Sequence, residues 1–133
     1  DAHIFCRWDQ LDEELDKVLA FVYDMLNAFG FNDLVVHLST RPAFFVGDED
    51  IWDRAEDSLK NALNRKEVPY HIDVGGGAFY GPKIEFSLRD CIGRIWQCGT
   101  MQVDFSMAER FCRSSIIRSF VPRCRVLPYD WQP

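Results

Sequence analysis

Apolar residues in the N-terminal part of the chain recur at intervals of three and four, the spacing of an amphipathic helix. Acidic residues follow Asp9 directly, which suits an N-cap at Asp9 and the dipole of the first turn. Gly30 supplies a C-terminal stop. The predicted helix therefore runs from about Asp9 to Gly30, with its buried face at Leu11, Leu15, Val18, Val22, Met25 and Phe29.

A second helix is predicted from about Asp48 to Lys66, and Pro69 prevents its continuation because proline lacks a backbone donor. Its buried face is expected at Ile51, Trp52, Ala55, Leu59 and Ala62 or Leu63.

The remaining apolar runs are short and rich in β-branched and aromatic residues, which is typical of strands. They fall at 1–6, 33–39, 70–74, 83–89, 94–98 and 99–105, and Asp90 to Gly93 reads as a hairpin turn. Helices alternate with strands early, and strands then come in succession. This order favours an α+β domain with an antiparallel sheet flanked by helices.

Composition narrows the class of protein. The 133 residues suffice for one core, and 15 basic against 21 acidic residues give a net charge of −6, which argues against non-specific nucleic-acid binding. Five cysteines without a Cys-x-x-Cys pair fit a reducing cytosol. No apolar run is long enough to span a bilayer, and no signal peptide is seen, with a targeting signal ahead of Asp1 left open.

Three adjacent glycines, Gly75 to Gly77, precede the strand that starts at Lys83. Glycine permits positive φ and close approach of the backbone to a ligand. The segment matches neither a phosphate-binding P-loop nor a dinucleotide-binding pattern. A flexible connection between strands is an equally good interpretation.

Three polar side chains next to the glycines are candidates for ligand contact. Lys83 would project from the end of the sheet, either as a cation for a phosphate or carboxylate or as a solvated surface lysine. Gln97 and Gln102 are five residues apart and would face opposite sides of one regular strand. A bulge at Gly99 would turn both toward one pocket; otherwise they are half-buried polar groups. Glu85 is not assigned a role.

Histidine and tyrosine offer weaker signals. His3 with Cys6 provides two of the three or four ligands that zinc takes from protein, so from the residues alone His3 reads as a packed strand residue. His37 and His71 are interpreted as structural. The phenol of Tyr80 either hydrogen-bonds a ligand or packs beside neighbouring aromatic rings.

Several segments together resemble the threonyl-tRNA synthetases, which are class II aminoacyl-tRNA synthetases. The matching segments are DAHIF at 1–5, STRP at 39–42, DIW at 50–52, GAFYGPKI at 77–84 and WQCGTMQVDF at 96–105. The resemblance covers 1–111, interpreted as part of the catalytic core, and leaves 112–133 as an unrecognised tail.

The resemblance implies an enzyme that activates threonine with ATP and magnesium and then charges threonine tRNA. It also implies an antiparallel sheet flanked by helices, a homodimeric parent protein, one zinc ion at the amino-acid site and no membrane. A cytoplasmic location is expected, with an organellar parent left open.

Site residues follow from the same resemblance. Lys83 and Gln97 are expected to contact the adenylate during catalysis, with Thr100 also in the ATP pocket. Substrate contacts are expected from Asp1, which would hold the threonine hydroxyl, from Tyr80 beside the amine, and from Gln102. A site that demands a hydroxyl rejects valine far better than an apolar pocket does. His3 is implied as a zinc ligand.

Parts of the family pattern are absent from this sequence. The segments that carry the dimer interface and the ATP-gripping arginines are not seen, the zinc cysteine is missing, and no histidine follows His71. We therefore expect an incomplete zinc site and a fragment that is inactive alone. The alternative is a non-catalytic binding or regulatory relative that kept the fold and lost the chemistry.

Overall fold

A computed structural model describes residues 2–107 and 124–128. Its elements in chain order are β1 His3–Cys6, α1 Leu11–Ala28, β2 Leu34–Ser39, α2 Glu49–Arg65, β3 His71–Asp73, β4 Lys83–Arg89, β5 Ile95–Val103 and β6 Cys124–Pro128. None of the helices in these ranges is both long and apolar enough to cross a bilayer.

The strands form one six-stranded sheet in the order β1-β6-β5-β4-β2-β3. The central pairs β2–β4 and β4–β5 are antiparallel, as predicted. The outer pairs β2–β3, β1–β6 and β5–β6 are parallel, which the sequence analysis did not predict. Parallel pairing needs a long crossover connection, and α2 lies in the connection from β2 to β3. The α+β class holds.

The hydrophobic core lies between one face of the sheet and the two helices. Trp52, Ala55, Leu59, Ala62 and Leu63 are fully buried on α2, at the predicted positions. On the central strands the buried positions alternate with polar ones, as expected for a sheet covered on one side. The buried strand residues are Val36, Leu38, Ile84, Phe86, Met101 and Val103.

Helix α1 departs from the prediction at its N-cap and along the apolar face of its second half. Gln10 occupies the N-cap position, because both carboxylate oxygens of Asp9 accept hydrogen bonds from the Arg7 guanidinium. The predicted buried face is correct for the first half, but Met25 is 45% exposed and Phe29 is 73% exposed. The sheet and α2 therefore cover only the first part of the apolar stripe.

The predicted stop at Gly30 is confirmed. Gly30 has φ of 82° and donates its N–H to the carbonyl of Asn27 at 2.9 Å, while Phe31 donates to the carbonyl of Leu26 at 3.0 Å. These two bonds are the Schellman pattern, which needs a left-handed residue after the helix.

Candidate functional site

The sheet face opposite the core is polar, and strand register determines which residues share it. Residues that pair directly across neighbouring strands point to the same face. One row of such pairs runs from Asp73 through Ser39 and Lys83 to Gln102, and continues across β6 to His3. Three predicted site residues, His3, Lys83 and Gln102, therefore lie on one face.

A β-bulge brings Gln97 to this face. The partner of Phe86 is Gly99, whereas the partner of Ser87 is Gln97, so Cys98 is an extra residue in β5. The thiol of Cys98 donates to the carbonyl oxygen of Phe86 at 3.2 Å. An extra residue shifts the alternation by one. Of the two alternatives for Gln97 and Gln102, the structure therefore shows the bulge, with Cys98 and not Gly99 as the extra residue, and the two strands expected at 94–98 and 99–105 form the single strand β5.

Glu85 is the centre of the polar face. Its Oε1 pairs with Lys83 Nζ at 2.5 Å and accepts a hydrogen bond from Gln97 Nε2 at 3.2 Å, while its Oε2 lies 3.5 Å from the Ser39 hydroxyl. Gln97 Nε2 also donates to Thr100 Oγ1 at 3.0 Å. Lys83 and Glu85 are both partly buried, which favours a persistent ion pair. Lys83 is thus not the solvated surface lysine of the alternative interpretation.

Gln102 and Tyr80 form a second contact on this face. The Tyr80 hydroxyl donates to Gln102 Oε1 at 3.2 Å, and the Tyr80 ring makes an edge contact with Phe79 at 4.9 Å between centroids. Gln102 is 6% exposed, and its Nε2 has no hydrogen-bond partner among the described residues. A buried amide donor without a partner is costly, so this donor is suited to a ligand's oxygen.

The backbone on both sides of Tyr80 packs closely on the sheet, at Gly77 and at Gly81. Gly77 donates its N–H to the Thr40 carbonyl at 2.8 Å, and a Cβ at Gly77 would lie 2.5 Å from that oxygen. A Cβ at Gly81 would lie 1.8 Å from the Val103 carbonyl oxygen. At these two positions glycine allows the backbone to approach another backbone segment closely, and not a ligand.

Glu85 and Ser39 lie among the candidate site residues without having been predicted there. The signal was the alternation at Lys83, Glu85 and Ser87 between apolar residues, which places all three on one face of β4. His37 and His71 also lie on this face, with ring centroids 5.6 Å apart. Asp1 lies outside the described residues.

The described residues do not fit the implied zinc ion. Within 2–107 and 124–128, no three His, Cys, Asp or Glu side chains are grouped to hold a metal, whereas zinc requires three or four protein ligands. Cys6 does not assist His3, because Cys6 is buried in the core and residues three apart on one strand face opposite sides of the sheet.

The polar face can bind an anionic, hydroxyl-bearing ligand. It offers the ammonium of Lys83, the buried amide donor of Gln102 and the hydroxyl of Tyr80 above an apolar, close-packed support. No nucleophile paired with a general base is among these groups, so the arrangement favours binding and charge stabilisation.

Comparison with known proteins identifies the family of this chain. The family described as tRNA synthetase class II core domain (G, H, P, S and T) matches residues 1–119. Threonine–tRNA ligase of Prochlorococcus marinus strain MIT 9515 is 56% identical over 110 residues, and that of strain AS9601 is 53% identical over 110 residues. These matches cover 83% of this chain and 17% of each relative.

Solved structures show the same fold. The RNA binding domain of threonyl-tRNA synthetase from Cryptosporidium parvum Iowa II superposes with a TM-score of 0.76 at 40% identity, covering 80% of this chain and 26% of that one. Threonyl-tRNA synthetase ThrRS-1 from Aeropyrum pernix gives a TM-score of 0.70 at 25% identity, covering 79% and 26%. The chain therefore belongs to the class II tRNA synthetase core family and, within it, is similar to the threonine–tRNA ligases.

Proposed function

We propose that the polar face of the sheet is the floor of the site that binds threonyl-adenylate in a threonine–tRNA ligase. The convergence of Lys83, Gln97, Gln102 and Tyr80 on one face carries this proposal. The chain spans 17% of the length of the curated relatives it matches, so threonine, ATP with magnesium, threonine tRNA, the homodimer and a cytoplasmic location belong to the proposal for the whole protein.

In this proposal the described residues bind and orient, and none is a covalent catalyst. The threonine carboxylate displaces pyrophosphate from the α-phosphorus of ATP in line. The Lys83 ammonium stabilises the negative charge on the phosphate oxygens, and it has three N–H donors, so it serves a phosphate while keeping Glu85. Tyr80 and Gln102 hold the threonyl part. Such catalysis rests on positioning and electrostatics.

Asp1, Thr100 and His3 have supporting roles in the proposal. Thr100 orients Gln97 through the 3.0 Å hydrogen bond. Asp1 would hold the threonine hydroxyl, and His3 would be one zinc ligand completed by residues outside the described ranges. Without that completion we expect the 133-residue chain to bind ligand weakly and to catalyse no reaction.

Binding of the non-hydrolysable analogue threonyl-sulfamoyl-adenosine tests the proposal by calorimetry. Lys83→Met removes the ammonium and keeps the side chain's length, and we expect at least about tenfold weaker binding because a charged hydrogen bond contributes about 1.5–3 kcal/mol. Lys60→Met on α2 is the matched control and should bind as the wild type does.

Two results would count against this proposal. Equal affinity of the Lys83 and Lys60 variants would show that the ligand binds elsewhere, and absence of binding by the wild type would show that the face is not a site in this chain. Threonine-dependent exchange of labelled pyrophosphate into ATP above background would contradict the expected inactivity.

A further inference from the structure

Glu85 holds the two side chains that are proposed to contact the adenylate. Its Oε1 accepts from both Lys83 Nζ and Gln97 Nε2, and its side chain is only 19% exposed. Glu85 lies in the middle of the central strand β4, between Ile84 and Phe86, which are both fully buried. Because these neighbours anchor the backbone, the carboxylate is a fixed point from which the two ligand-facing groups are aligned.

The hydrogen bonds at Gln97 also determine which of its atoms remain for a ligand. Nε2 has two N–H donors, and these are used by Glu85 Oε1 and Thr100 Oγ1. None of the hydrogen bonds among the described residues uses Gln97 Oε1. Gln97 therefore presents an acceptor, suited to a hydroxyl or amine of the ligand, while Lys83 presents the donors for phosphate.

We propose that Glu85 is a positioning residue that fixes Lys83 as the cation and Gln97 as the hydrogen-bond acceptor of this site. The ligand-binding part rests on the proposed function above, whereas the ordering of Lys83 and Gln97 does not. The negative charge of Glu85 repels an anionic ligand, so Glu85 does not attract the ligand to the site. Its place beside Lys83 is explained by the orientation that it gives to the Lys83 side chain.

Two variants separate the charge of Glu85 from its hydrogen bonding. Glu85→Gln removes the charge and keeps an acceptor, and Glu85→Met removes both at similar length. Nitrogen-15 NMR of the Lys83 ammonium and the Gln97 amide in the 133-residue chain reports their order without any ligand. We expect Glu85→Gln to loosen Lys83 more than Gln97, because only the ion pair depends on the charge, and Glu85→Met to free both.

Glu13→Gln is the matched control, since Glu13 pairs with Lys17 at 2.7 Å on the exposed face of α1. It should leave both signals unchanged. If Lys83 and Gln97 are as mobile in the wild type as in Glu85→Met, Glu85 does not position them and the inference is wrong.

Binding of Mg-ATP gives an independent test, because a pure charge effect and a loss of alignment change the affinity in opposite directions. Removing a negative charge alone would strengthen the binding of an anion. Loss of alignment instead predicts about two- to twelvefold weaker binding by Glu85→Met, because the freed long side chain must be immobilised when the ligand binds. Tighter or unchanged binding would overturn the proposal. No binding by the wild type would refute the proposed function, while the NMR result would still decide the role of Glu85.

Discussion

Substitution of Gly81 by alanine should destabilise the domain more than any comparable glycine substitution in the sheet. A Cβ at this position would lie 1.8 Å from the Val103 carbonyl oxygen and 3.0 Å from the carbonyl carbon. Both atoms belong to the backbone of β5 and cannot rotate away. Overpacking of this kind costs about 1–3 kcal/mol, and we expect a value near about 3 kcal/mol because a strand must move.

A loss of that size is a large part of the stability of a domain, which is about 5–15 kcal/mol. Urea unfolding followed by tryptophan fluorescence measures the change in the free energy of unfolding. The same displacement should separate the Tyr80 hydroxyl from Gln102, which are 3.2 Å apart. An altered environment of the Tyr80 ring in NMR spectra of the folded protein would report this effect on the site.

Gly99→Ala is the matched control, because its Cβ would lie no closer than 3.8 Å to any atom, the nearest being in the Phe86 ring. We expect its free energy of unfolding to stay within about 0.5 kcal/mol of the wild type, since alanine also lowers the entropy of the unfolded chain. Equal effects of the two substitutions would refute the close contact between Gly81 and the Val103 carbonyl of β5.

Two further predictions concern titration. Desolvation raises the pKa of Asp90, but hydrogen bonds from Trp96, Arg94 and two backbone N–H groups outweigh it and lower the pKa to about 2. Since the unfolded value is about 3.9, Asp90 stabilises the hairpin above about pH 4, and this contribution is lost as the pH falls to about 2. In the folded protein the Trp96 indole N–H signal should shift with a midpoint near pH 2, and Asp90→Asn should remove the shift. Burial raises the pKa of Cys6 to about 11, so iodoacetamide at pH 8 should alkylate the exposed Cys91 well before Cys6; equal rates would contradict this.

The periodicity of apolar residues was sufficient to predict most elements. The face of α2 from Trp52 to Leu63 is buried as predicted, because one stripe of a helix must face the core. The end of α1 at Gly30 was also predictable, because it depends only on neighbouring residues. The N-cap was wrong because Arg7 engages Asp9, and a side chain that has two possible partners cannot be assigned from spacing alone.

The chain by itself determined the α+β class and the central strands, because alternation and glycine placement act over a few neighbours, and the resemblance of its motifs to a family indicated the site residues. Only the tertiary structure decided that Lys83, Gln97 and Gln102 share one face with Glu85 between them. That arrangement depends on register and on the extra residue Cys98. A shift of one residue in strand register turns every side chain of that strand to the opposite face of the sheet. The register is set by pairing between segments that are distant in the sequence.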